Sequence, residues 1–143
     1  MKNLLIVLVF SATNLVLAQE AEAVFDQNAE NTDKIYKIEE LTVKPAFPGG
    51  IEFFYAFVEK NFVVPEQQGL IGKIFVAFVV EKDGTLTHFN VIRDAGFGTG
   101  KEAVRVMELS PKWTPAIKDG KPVRSVYTIP IAVSYNHSAP TKK

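Results

Sequence analysis

The sequence predicts an α+β domain in which two short helices pack on one face of a small three-stranded antiparallel sheet. Residues 72–94 have the pattern of a β-hairpin, with β-branched and aromatic residues on both sides of an Asp-Gly turn. Segments with helical spacing of apolar residues precede and follow this hairpin. A last alternating segment, residues 123–135, supplies the third strand.

The first helix is predicted over Ile51–Asn61. Its apolar residues fall on one helical face, at the spacing i, i+3, i+4 and i+7: Ile51, Phe54, Tyr55, Phe57 and Val58. The Phe-Pro-Gly-Gly sequence at 47–50 turns the chain before this helix, and Pro65 and Gly69 end the unit.

The hairpin has its first strand over residues 74–80 and its second over 85–92. Leu86, Phe89 and Val91 are the apolar members of the second strand. Residues 81–84, Glu-Lys-Asp-Gly, form the turn, because Asp and Gly tolerate positive φ. One face of the hairpin is therefore expected to be buried.

The second helix is expected to begin at Thr99. Thr99 and Glu102 have the spacing of a capping box, and Ala103, Val106 and Met107, with Val104 beside them, form an apolar stripe. Pro111 stops the helix because the residue before a proline disfavours helical backbone. A further turn at 118–121 leads into the last strand.

The N-terminal residues predict export. Residues 1–18 carry Lys2, a short apolar run and a small residue before Gln19, which favours a cleaved signal peptide over an uncleaved anchor. Residues 19–44 are expected to be an acidic flexible linker, 45–135 the folded domain and 136–143 a disordered tail. The absence of cysteine excludes a disulfide framework and a lipoprotein anchor.

Charge gives little reason to expect a nucleic-acid partner. The formal net charge is zero. Residues 19–46 hold seven acidic and three basic side chains, whereas residues 47–143 hold nine acidic and twelve basic ones. An acidic linker before a mildly basic domain explains this distribution, and a linker that folds back on the domain is the alternative.

No pattern indicates an enzyme or a cofactor. The two histidines, His88 and His137, are far apart, and no cluster of His, Asp and Glu has metal-ligand spacing. The Gly-rich stretch at 95–101 resembles a phosphate loop. Glu102 follows its lysine where a Walker motif needs Ser or Thr, so a turn before a capped helix is the better interpretation.

The last strand predicts a half-open sheet edge. Tyr127, Ile129, Ile131 and Val133 share the parity that should face the core. Pro130, of the other parity, has no N–H, and a proline inside a strand is confined to an edge. The residues expected to present backbone groups outward share its parity: Val126, Thr128, Pro130, Ala132 and Ser134. The residues alone leave two roles open, a template for an added strand and a proline that protects an edge from aggregation.

The order of these elements resembles the C-terminal domain of the TonB family, in the form common among Bacteroidetes-type energy transducers. The resemblance covers about residues 45–135, from the Phe-Pro-Gly-Gly turn through Ser-Pro-Lys-Trp-Thr-Pro at 110–115 to the last strand. It implies that residues 123–135 capture the TonB box of an outer-membrane transporter. Val64 stands where the family often has Tyr before Pro65, and Trp113 resembles a family tryptophan, with a core anchor as its expected role.

The resemblance implies a periplasmic binding module that docks the TonB box by strand addition. Two alternatives remain: self-association of the same fold as a homodimer, and an anchored transducer facing the periplasm if residues 1–18 are retained. Membrane contact is expected only in the anchored case. Residues 19–46 contain a single proline, Pro45, so this segment lacks the stiff proline-rich spacer of a complete transducer.

Overall fold

The computed structural model describes residues 34–136. The predicted signal peptide (1–18), the first part of the predicted linker (19–33) and the tail from residue 137 lie outside the described residues. The elements are, in order, β1 (Ile35–Tyr36), a 3₁₀ turn (Ile38–Glu40), α1 (Ile51–Asn61), β2 (Ile71–Val80), β3 (Leu86–Arg93), α2 (Thr99–Glu108), β4 (Ala116–Lys118) and β5 (Lys121–Ser134).

The sheet has the order β1-β5-β2-β3, with β4 paired to the start of β5. β2 lies between β5 and β3 and is antiparallel to both, which confirms the α+β class and the antiparallel three-stranded centre. The predicted strand count was too low, because β1 and β4 add two short strands, and β1 runs parallel to β5. Two or three residues are too few to show a period of two in the sequence.

Both helices cover the sheet face formed by alternate residues of β2 and β5. Ile74, Val76 and Phe78 of β2 are fully buried. Of their partners in β5, Ile131 and Ile129 are buried and Tyr127 is half-buried. The helices contribute the apolar stripes that their spacing predicts: Phe54 and Val58 from α1, and Ala103, Val106 and Met107 from α2.

Trp113 lies at the centre of the aromatic part of this core and is 3% exposed. Four rings surround its indole with centroids between 5.3 and 5.8 Å away: Phe47, Phe54, Phe78 and Tyr127. Its Nε1–H donates to Ser110 Oγ at 3.0 Å, so the one polar atom of the ring is satisfied. The indole therefore anchors helix, hairpin and last strand together.

A β-bulge corrects the spacing of β3. Leu86 and Phe89 are three residues apart, yet both pack against the core. The register between β2 and β3 shifts at this point, and His88 has a φ of +53°. One extra residue in a strand returns the following side chains to the same face, so Leu86, Phe89 and Val91 can all point inward.

The start of α2 differs from the predicted capping box. Gly98 is the N-cap residue, and no side chain caps the helix from that position. The carboxylate of Asp94 instead accepts hydrogen bonds from the Thr99 hydroxyl at 2.6 Å and from the N–H groups of Gly96 and Gly100 at 2.8 and 3.1 Å. Thr99 is already the first helical residue, so its side chain donates backward. The carboxylate thus accepts from backbone N–H groups of the kind that bind phosphate in a phosphate-binding loop.

The folded unit begins at Ile35, within the predicted linker of residues 19–44. Tyr36 is 4% exposed and pairs with Ser125. Val43 and Ala46 form bridges to Ile117 and Thr114. Residues 35–46 are thus fastened along the β4 side of the domain by backbone hydrogen bonds.

Neither helix in residues 34–136 has the length and apolar content required to cross a membrane.

Candidate strand-docking edge

The outer side of β5 over residues 126–134 is the open edge of the sheet. Its inner side pairs with β2 along the whole length, from Val80↔Ser125 to Ile71↔Ser134. On the outer side β1 reaches only Arg124 and Ser125. Within the described part of the chain, no strand other than β2 pairs with residues 126–134.

One hydrogen bond fixes the direction of the backbone groups on this edge. The N–H of Tyr135 donates to the carbonyl of Leu70, at the start of β2, at 2.9 Å. Because alternate residues of an antiparallel strand direct both backbone groups to the same side, the odd-numbered residues of β5 face β2. The even-numbered residues from Val126 to Ser134 therefore direct their groups outward, as the sequence predicts.

Side-chain burial follows the same alternation. Ile129, Ile131 and Val133 are buried, and Tyr127 is half-buried against the ring cluster. The residues of the other parity lie on the face away from the helices: Thr128, Pro130, Ala132 and Ser134 are exposed, and Val126 is half-buried.

The carbonyl of Pro130 is not free, which corrects the expectation that all five residues offer unpaired groups. The hydroxyl of Tyr55, on α1, donates to that carbonyl at 3.1 Å. Pro130 also has no N–H. Its backbone therefore offers a ligand no donor, and its one carbonyl already has a partner. Sequence reasoning placed Tyr55 only on the apolar face of its helix and missed this contact.

Val126 lies directly beyond the residues paired with β1, so its surroundings differ from those of the rest of the edge. Thr128, Ala132 and Ser134 carry the outward N–H and C=O groups that have no hydrogen-bond partner in residues 34–136. The structure thus divides the edge at Pro130, with one open residue before it and two after it.

The opposite edge of the sheet, on β3, is less regular. Its register to β2 shifts twice, between Phe75 and Val76 and between Ala77 and Val79. Bulges twist an edge strand and interrupt the ladder that an added strand would extend. The edge of β5 is therefore the better template.

An ion pair secures the first part of β5. Arg124 Nε and Nη2 donate to Glu81 Oε2 and Oε1 at 2.7 and 3.0 Å, with both side chains largely buried. These hydrogen bonds from Arg124, followed by one from Thr87, hold the pKa of Glu81 below its usual value. The pair joins the end of β2 to β5 next to the point where β1 stops.

No group of three or more His, Asp and Glu residues in the described region is arranged to hold a metal ion. The Asp94 carboxylate is committed to the start of α2, where the hydroxyl of Thr99 is the main cause of its lowered pKa. The chemistry that the edge offers is therefore backbone hydrogen bonding.

Residues 65–133, from the loop after α1 to the penultimate residue of β5, match the family model described as Gram-negative bacterial TonB protein C-terminal. These residues belong to the TonB C-terminal domain family. The resemblance expected from the sequence is thereby confirmed. The TonB match includes β2, β3, α2 and β4, whereas α1, with Tyr55, precedes it.

One solved structure that is similar to the chain is the NMR solution structure of the TonB C-terminal domain from Helicobacter pylori. The two share 21% sequence identity with a TM-score of 0.43, over 58% of this chain and 90% of that chain. A search of curated proteins found no match.

TonB C-terminal domains are associated with TonB-dependent transport in the periplasm of Gram-negative bacteria. They interact with outer-membrane transporters, and the family is a non-enzymatic one. The class of protein expected from the sequence, a transport-interaction domain, agrees with this membership.

Proposed function

We propose that this chain is a periplasmic binding module that docks the TonB box of an outer-membrane transporter by strand addition to the open edge of β5. The observation that carries the proposal is the row of outward backbone groups on Thr128, Ala132 and Ser134, which no strand of the described chain covers. An extended peptide can satisfy such groups through its main chain. Family membership supplies the class of partner.

The expected complex is weak and reversible. Three open residues provide up to six backbone groups, and each hydrogen bond contributes about 0.5–1.5 kcal/mol net. Ordering the peptide cancels part of this gain. A module that must release its transporter after each transport event is suited to such modest affinity.

A peptide titration tests the proposal. The full chain, labelled with ¹⁵N, is titrated with a synthetic peptide carrying the TonB box of a transporter from the same organism. The amide signals of Thr128, Ala132 and Ser134 are expected to shift, and their hydrogen exchange is expected to slow. The amides of β3 serve as the internal control. The absence of any change on β5 at millimolar peptide would contradict the proposal.

Replacing Ala132 by proline sharpens the test. This substitution removes one outward N–H and leaves the ladder to β2 intact, since the N–H of Ala132 points away from β2. Peptide affinity is expected to fall several-fold. Ala132→Gly, which keeps the N–H, is the matched control and should retain binding within about twofold.

A second copy of the chain is the alternative occupant of the same edge, because it presents the same unpaired groups. Sedimentation velocity over a range of concentrations distinguishes the two. A dimer that forms without peptide and is lost in Thr128→Pro would favour self-association. The N-terminal residue of the exported chain, read by mass spectrometry, tests the remaining alternative of an anchored transducer.

A further inference from the structure

We infer that Tyr55 is a specificity-determining residue of the docking edge, because its hydroxyl takes the one acceptor that Pro130 has. This inference depends on the proposed function, since it concerns which peptide backbones the edge accepts. Tyr55 lies outside the residues that match the family model.

The position of the Pro130 carbonyl determines which N–H group of a ligand the Tyr55 hydroxyl competes with. An added strand extends the ladder by placing one of its N–H groups against each outward carbonyl of β5. At Pro130 the carbonyl already accepts from Tyr55 Oη at 3.1 Å. The ligand N–H at that position must displace the hydroxyl or share the oxygen with it. A ligand that has no N–H at that position loses no hydrogen bond to β5.

The hydroxyl is presented by a fixed element. Tyr55 lies in the middle of α1, and the preceding residue, Phe54, is fully buried. The Tyr55 ring packs edge-on against the Phe54 ring, with centroids 5.4 Å apart. Tyr55 is 41% exposed as a residue, so part of it remains accessible to a bound ligand. Helix α1 therefore contributes directly to the edge that β5 forms.

The Tyr55–Pro130 contact also explains how an edge interrupted by a proline can still discriminate between ligand backbones at each position. The ligand needs hydrogen-bond donors and acceptors opposite Thr128 on one side of Pro130, and opposite Ala132 and Ser134 on the other side. The position between them makes no such demand. Ligands are therefore discriminated by their backbone: an N–H is required at the outer positions and is dispensable at the central one.

The test is a backbone ester scan. Each amide of the synthetic TonB-box peptide is replaced in turn by an ester, which removes one N–H and keeps the chain shape. Affinity for the full chain is measured by fluorescence anisotropy. In the wild type, esters at the outer positions are expected to weaken binding about two- to tenfold, and the ester at the central position by less than about twofold.

Tyr55→Phe provides the decisive comparison. The phenyl ring preserves the packing on Phe54, and the Pro130 carbonyl becomes available. The parent peptide is expected to bind about two- to tenfold more tightly, and the central ester is now expected to cost a similar factor. Tyr127→Phe is the matched control: it removes a hydroxyl from a ring on the core side of β5, and the ester profile should stay that of the wild type.

The outcomes separate the two proposals. If the wild type binds and Tyr55→Phe binds no more tightly, the inference is overturned and strand docking stands. A tighter complex without sensitivity at the central ester also overturns it, because the hydroxyl then acts through another contact. If neither protein binds the peptide, docking and the inference fail together.

Discussion

The backbone N–H of Trp113 donates a hydrogen bond to the carbonyl of Gly84 at 2.8 Å. Gly84 ends the β2–β3 turn, and Trp113 is buried among four aromatic rings. The hairpin turn is thus fastened to the centre of the core by main-chain atoms. This contact requires close approach, since a Cβ built on Gly84 would overlap the carbonyl of Trp113.

Gly84→Ala is therefore expected to destabilise the domain strongly. Its φ of +86° disfavours any side chain, and the overlap with Trp113 adds to that cost. We expect a loss of about 2–4 kcal/mol in the free energy of unfolding. Urea denaturation followed by the fluorescence of Trp113, the single tryptophan of the chain, measures it.

Gly120→Ala is the matched control for that experiment. Gly120 has a φ of +78° in the β4–β5 turn, and no heavy atom lies within 4 Å of a Cβ placed there. Its loss should be only the conformational cost of about 1–2 kcal/mol. Equal losses in the two variants would show that the Trp113 carbonyl moves away freely.

Asp94→Asn is expected to reduce stability in a pH-dependent way. The Thr99 hydroxyl, followed by the N–H groups of Gly96 and Gly100, lowers the pKa of Asp94 below its ordinary value of 3.8. The carboxylate therefore stabilises the fold fully above about pH 4, and this contribution is lost as the pH falls through the lower pKa of the folded state.

The difference between wild type and Asp94→Asn should be about 0.5–2 kcal/mol at pH 7 and should shrink below pH 4. Urea denaturation at a series of pH values checks this. Glu66→Gln, at an exposed position, makes the same change in charge and should show no such trend. A difference that stayed constant down to pH 2 would argue against an ionised cap.

Proline substitution along β5 tests the direction of its backbone groups. Ala132→Pro should change the free energy of unfolding by less than about 1 kcal/mol, because its N–H points away from β2. Val133→Pro removes an N–H from the ladder to β2 and should cost on the order of 3 kcal/mol or more.

Val133→Pro also loses the packing of the valine side chain in the core, and Val133→Ala measures the free-energy cost of that loss alone. Thermal unfolding followed by circular dichroism measures all three. Comparable destabilisation by the two prolines would mean that the outward parity is assigned wrongly, and the docking edge with it.

Tyr36→Ala tests whether the folded unit begins before residue 45. Tyr36 is buried, pairs with Ser125 through its backbone and has the ammonium of Lys118 over its ring at 5.7 Å from the centroid. We expect a loss of about 2–4 kcal/mol. Ile35→Ala, at a neighbouring exposed position, should cost less than about 1 kcal/mol. A negligible loss for Tyr36→Ala would return these residues to the linker.

The long periodic elements could be predicted from the sequence, and the reason is physical. α1 begins and ends at the predicted residues, because a stripe of apolar residues between turn residues specifies both the face and the limits of a helix. The core parity of β5 followed from alternation in the same way. The family that residues 65–133 match was likewise expected from the order of these elements.

Features that depend on distant partners could not be predicted. β1 is two residues long and exists as a strand only because Arg124 and Ser125 lie beside it. The Asp94 carboxylate displaced the predicted Thr99–Glu102 cap because the loop before α2 brings it to the helix N-terminus. The Tyr55–Pro130 hydrogen bond joins residues 75 positions apart, and no local pattern indicates which carbonyl a helical tyrosine will meet.

Strand β1 has one more consequence for the proposed docking of a peptide on β5. It ends beside Ser125, at one extremity of the exposed flank, whereas no strand bounds the flank beyond Ser134 in the described chain. A peptide docked there would meet β1 at the Ser125 end and no strand of residues 34–136 at the Ser134 end. If a peptide docks there as proposed, its free end can extend past Ser134 without meeting another strand of residues 34–136.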